Sequence, residues 1–171
     1  MKKLLLFFLM ILTLGLFGCS KNQLPEPNTN LEFWIAENVD DVDFSNYQMK
    51  YGMFGGNMYY GTEYVPTLDE YNQQVDPEQC VIYTVTSYPD YINKAQHITR
   101  IEITDPSIEF YGLSLSSTNE EIMETMGNME FVFQELGVDT LVAKKGKYTF
   151  SFSPEIITIR VNVTNRTGII F

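Results

Sequence analysis

Polar and apolar positions alternate most regularly near the end of the chain. Ile157, Ile159, Val161 and Val163 alternate with Thr158, Arg160 and Asn162, which predicts a strand with one buried and one wet face. Tyr148, Phe150 and Phe152 alternate with Thr149 and Ser151 in the same way, after a Lys144-Lys145-Gly146-Lys147 turn that follows a strand over 139–143. Upstream, residues 80–88 (CVIYTVTSY) and 97–104 (HITRIEIT) are dense in β-branched and aromatic side chains and read as two strands. Residues 31–39 (LEFWIAENV) predict another, with Leu31, Phe33 and Ile35 on one face. Residues 51–64, rich in Tyr and Gly, predict bent or bulged strands. Residues 107–116 continue extended and kink at Gly112.

One stretch has helical periodicity. Thr118 and Glu121 fit a capping box, and Ile122, Met126, Met129, Phe133 and Leu136 form one apolar stripe that Gly137 would close. Gly127 lies inside the stripe and weakens it by about 1 kcal/mol relative to Ala. Strands, one helix and more strands predict an α+β fold: an antiparallel sheet with one main amphipathic helix packed on one face. No repeat or long linker interrupts residues 31–171, so they form one domain.

The beginning of the chain has a different texture. Lys2 and Lys3 precede an apolar run over 4–14, and Leu16-Phe17-Gly18-Cys19 follows. The run is shorter than the roughly 20 residues of a membrane span, which favours a secretory signal over an anchor helix. Leu16-Phe17-Gly18-Cys19 resembles the lipobox of bacterial lipoproteins. That resemblance implies lipidation of Cys19 and cleavage before it, with a signal peptide over 1–18 and a lipidated tether over 19–30 (SKNQLPEPNTN after the cysteine). It also implies a lipid-anchored protein on the extracytoplasmic face of the cell membrane.

Charge sharpens this reading. The chain has 11 Lys+Arg against 22 Asp+Glu, a net of −11, and loss of Lys2 and Lys3 takes it to −13. So acidic a body is repelled by anionic lipid, leaving the acyl chains to hold it, and the shortage of basic residues argues against nucleic acid as a partner. With Cys19 acylated, Cys80 is the remaining thiol, set in an apolar run typical of a core cysteine. The alternative, a nucleophile activated by His97 across a hairpin, needs the two side chains to meet.

Three groups of residues bear on function. Glu37, Asp40, Asp41 and Asp43 offer hard oxygen ligands at close spacing, yet the loop has Asn46 and Gly52 where a calcium loop carries its Gly and its bidentate Glu. A solvated turn is the simpler reading, and neither a metal nor another cofactor is expected. The chain has eleven Tyr, and its aromatic residues concentrate in Tyr51, Phe54, Tyr59, Tyr60 and Tyr64, the candidate site for a protein or carbohydrate partner in the envelope. Strand filler is the alternative. Nucleophile–base motifs such as G-x-S-x-G, S-x-x-K and H-E-x-x-H are absent from the sequence, so no catalytic residues are assigned. The expected function is a non-catalytic binding or accessory module, against a small envelope hydrolase using carboxylates or the region of His97, or an immunity or inhibitor lipoprotein.

The body resembles the small uncharacterised lipoproteins of Gram-positive Firmicutes. The resemblance rests on Ile103-Thr104-Asp105-Pro106, Tyr111-Gly112-Leu113, the capped helix opening at 117–121 and the closing run 163–171. It implies membrane attachment and no assigned activity. A fold-level similarity to the small lipoprotein of the barrel-assembly machinery and to the β-lactamase inhibitor protein rests on 112–137 and the strands after it.

Overall fold

The computed structural model describes residues 23–51, 57–62, 79–86, 96–135 and 139–162. Eight strands form one antiparallel sheet. They are β1 (Gln48–Tyr51), β2 (Asn57–Gly61), β3 (Val81–Thr86), β4 (Ile98–Ile103), β5 (Val132–Glu135), β6 (Leu141–Lys145), β7 (Tyr148–Phe152) and β8 (Ile157–Val161), with α1 (Asn119–Asn128) between β4 and β5. The spatial order is β1-β2-β3-β4-β8-β7-β6-β5. Strands β1 to β4 thus make one meander and β5 to β8 a second, and the two join where β4 lies beside β8.

One face of this sheet makes the core. Register places Met49, Tyr60, Tyr83, Ile101, Ile159, Phe150, Ala143 and Phe133 in one row across all eight strands. Of these, Tyr83, Ile101, Ile159, Phe150 and Ala143 are buried. The cover comes mostly from irregular chain: Leu31, Phe33 and Ile35, then Phe110 and Leu113, all in the same apolar cluster. The alternation over 31–35 therefore marks burial correctly, while the segment makes bends and a turn instead of a strand. Residues 107–116 likewise turn, with Phe110 bridged to Leu113 and both Tyr111 (φ 52°) and Gly112 (φ 76°) in the left-handed region.

The α+β expectation is corrected here: among the described residues the architecture is mostly an eight-stranded antiparallel sheet with a single α-helix, of ten residues, closer to all-β. The capping box forms, with the Thr118 hydroxyl accepting from the Glu121 N–H at 3.3 Å and the Glu121 carboxylate accepting from the Thr118 N–H at 2.8 Å. The helix nevertheless stops at Asn128 and buries only Ile122 and Met126. Its end is a Schellman motif. The Phe131 N–H donates to the Met126 carbonyl at 3.1 Å and the Glu130 N–H to the Gly127 carbonyl at 2.9 Å. Glu130 takes the left-handed conformation (φ 65°) that glycine usually supplies there. Beyond it, Val132 and Phe133 favour extended chain, and residues 132–135 pair with β6. The second half of the apolar stripe thus belongs in part to a strand, and Leu136 and Gly137 lie outside the described residues.

Residues 24–30, within the segment expected to be tether, lie against the body. The Tyr111 hydroxyl donates to the Pro25 carbonyl at 2.7 Å, and its N–H to the Asn28 carbonyl at 2.9 Å. The Asn30 side chain accepts from the Glu109 N–H at 2.7 Å and donates to the Ser107 carbonyl at 2.9 Å. Leu24 packs on the core.

Candidate functional site

Strand alternation distributes the Tyr segment over both sheet faces. Tyr60 points into the core face and stacks on Phe44, ring centroids 4.0 Å apart. Tyr59 points the other way and is buried with Cys80 and Ile82 in a small second cluster. Tyr51, at the end of the edge strand β1, is 69% exposed. The three therefore share no single surface, and Phe54 and Tyr64 lie outside the described residues, as does Cys19.

Phe33, Phe44, Tyr47, Tyr60 and Tyr83 form a ring cluster at the β1–β3 end of the core, with Phe33 and Phe44 in an edge contact at 4.9 Å. The Tyr47 hydroxyl donates to the Glu32 carboxylate, and burial, helped by that acidic neighbour, raises its pKa. Burial pushes Tyr83 and Tyr111 up to about 12. These shifts carry a sign. Below about pH 10, phenols are neutral in folded and unfolded chain alike. Above it, the unfolded chain releases protons that the folded Tyr83 and Tyr111 keep to about pH 12, so stability falls as pH rises through that window. Denaturation midpoints should be level from pH 7 to 9 and drop between pH 10 and 12, and Tyr83→Phe should flatten the drop; an unchanged slope in that variant would refute the assignment.

The acidic residues are engaged locally. Asp43 accepts from the Ser45 N–H at 2.9 Å in a turn, which holds its carboxyl below the ordinary value. Asp40 and Asp41 sit in a single 3-10 turn, and partial burial raises Glu37. Among the described residues no group of three or more His, Cys, Asp or Glu side chains is placed to hold a metal. Cys80 is buried, its sulfur 3.5 Å from the Thr104 hydroxyl at one end of the β3–β4 hairpin. His97 is at the other end, bridged to Asn38, so roughly 20 Å of strand separates the two and they form no catalytic pair.

A cavity of about 220 Å³ opens between the start of α1 and the β7–β8 turn, with Ile122, Phe152 and Ile157 as apolar floor and Ser114, Ser117 and Asn119 at its rim. Asp139 is the one carboxylate among its lining residues, so no facing carboxylate pair assembles in it.

The second face of the sheet carries the arrangement that local sequence reading does not show. Register places Lys50, Tyr59, Thr84, Arg100, Arg160, Thr149, Lys144 and Val132 in one row across all eight strands. Four of those eight positions are cationic in a chain of net charge −11. Arg100 and Arg160 are directly opposite each other on the central strands, a like-charge pairing that costs stability by itself. Glu102, one position along the same face of β4, accepts from the Arg100 guanidinium; its side chain is 5% exposed and that of Arg100 32%. Partial desolvation against the sheet lowers the Arg160 pKa, the Arg100 charge lowers it further, and Glu102 partly offsets both. Thr84, Glu102 and Thr158 are buried on this face, whereas Arg160, Lys144, Val132 and Gln134 are open to solvent. The hints in sequence are Arg160 at a wet-face position of its strand and Lys144 in a lysine-rich turn; that Arg100 and Arg160 meet depends on β4 pairing with β8.

Among the described residues no helix is long and apolar enough to cross a membrane. Compared with models of protein families, with curated proteins and with solved structures, the chain matches none.

Proposed function

We propose that the protein is a non-catalytic binding or accessory module, held by lipid on Cys19 at the extracytoplasmic face of the membrane. The observation that carries the binding part is the second sheet face, where Arg160 and Lys144 stand open beside Arg100 on a rigid scaffold. Regular strands hold side chains more precisely than loops do, which suits recognition. The anchoring part is supported by the lipobox-like Leu16-Phe17-Gly18-Cys19 after an apolar run.

Attachment at Cys19 gives the body a short leash. Leu24 is already packed on the core, so four residues intervene and the span from Cys19 is at most about 17 Å when fully extended. The partner of such a body is a component of the envelope close to the bilayer. Cys19→Ser is expected to abolish labelling by a palmitate probe and to move the protein out of the detergent phase. Palmitate labelling that persists in the variant would show that this cysteine is not the anchor.

A further inference from the structure

Resting on the binding-module reading above, we infer that Arg100, Arg160 and Lys144 form an oxyanion site for the phosphoryl group of an envelope ligand. Arg100 and Arg160 face one another on β4 and β8, and Lys144 lies two strands beyond Arg160 in the same row, about 10 Å away by strand spacing. Thr149 stands between Arg160 and Lys144 and adds a hydroxyl donor. Long side chains from these positions can converge on one group above the sheet.

Two observations say that the cluster is short of an anion. Glu102 is the one carboxylate among the described strand positions of this face, and it bonds Arg100, so at those positions the three cations share a single negative charge. The Arg100 Nε is buried and has no hydrogen-bond partner among the described residues, and the Thr84 hydroxyl beside it in the row is in the same state. Two guanidiniums at a directly opposed pair repel unless something negative bridges them. The residual charge of about two suits a phosphoryl dianion better than a carboxylate, and tetrahedral oxygens accept from two guanidinium forks and an ammonium together. The group could belong to a soluble phosphate monoester or to a lipid whose headgroup is a phosphate monoester, and both present the same three terminal oxygens.

The test uses the full lipidated chain in detergent and isothermal titration at constant ionic strength, with inorganic phosphate, glycerol 3-phosphate, a short-chain phosphatidic acid and acetate. Binding of phosphate and of at least one ester, with none of acetate, is the expected result. Arg160→Gln, at an exposed position outside the Arg100–Glu102 hydrogen bond, should weaken it about tenfold, and Lys144→Gln several-fold. Tighter binding of glycerol 3-phosphate assigns the ligand to the soluble pool; tighter binding of the lipid assigns it to the headgroup. Either supports the site. No heat with any phosphoryl compound, or equal affinity in Arg160→Gln, overturns it. Release of inorganic phosphate from glycerol 3-phosphate would instead overturn the non-catalytic reading and leave the site standing.

Discussion

Phe150→Ala is expected to remove about 4 kcal/mol of folding stability, the range found when a large buried aromatic is truncated. Phe150 is fully buried, with Phe131 edge-on at 5.3 Å between ring centroids, Phe110 at 6.0 Å, and Trp34 and Phe152 each at 6.5 Å. These rings come from four separate parts of the chain: the leading segment, the turn at 110, the end of the Schellman motif and β7 itself. Collapse into the void would require several of them to shift together, so little of the lost contact is recovered. Small domains have a total stability of about 5–15 kcal/mol, so the variant should sit near the edge of folding. Urea denaturation should show a much lower midpoint with an unchanged slope. Phe150→Leu should lose far less. A loss below about 1 kcal/mol for the alanine would mean that this ring cluster is not the centre of the core.

The second large effect concerns the ion pair at the centre of the other face. Arg100→Met should cost about 2–3 kcal/mol, because it leaves the buried Glu102 carboxylate without its guanidinium. Two features keep the figure below the most severe cases of this kind. Arg100 is 32% exposed, so water screens the pair, and Arg160 directly across the strands supplies some compensating charge. The loss should be strongly non-additive. Arg100→Met with Glu102→Leu should recover most of it, since removing both charges relieves the desolvation that removing one exposes. If the double variant is as unstable as the sum of the singles, the pair is not coupled and the cost lies in packing. The same single variant should also lose phosphate binding, but Arg160→Gln and Lys144→Gln, which leave the Arg100–Glu102 pair in place, test the site more cleanly.

Which features were legible beforehand follows from how local their causes are. The alternation of Ile157, Ile159 and Val161 with Thr158 and Arg160 is written into neighbouring residues, and β8 formed over Ile157–Val161. The Thr118–Glu121 capping box is equally local, and both of its bonds are made. The end of the helix misled because the position that sequence reading assigns to glycine is held by Glu130, while Gly127 lies inside the helix without ending it. Phe133 then fell on the helical stripe by coincidence of spacing, although its strand pairs it with Ala143. The apolar pattern of Leu31, Phe33 and Ile35 carries burial but no information about partners, so a covering segment and a strand looked alike. The Tyr segment was legible as composition alone, because alternation assigns neighbours such as Tyr59 and Tyr60 to opposite faces. The basic row was the least legible feature, since it exists only after seven registers are fixed.

That row has a consequence for how the protein comes into being. Every strand pair but one joins neighbours in sequence, and the exception is β4 with β8. Closing that seam must wait for the chain's second meander, and the loop entropy it costs is the largest in the sheet. During synthesis the first meander can be complete while β4 still presents an unpaired edge with Arg100 beside it. The arginine pair belongs to neither half, so the site is assembled in the same step that seals the sheet, and a chain that has not finished folding has nothing with which to hold its ligand.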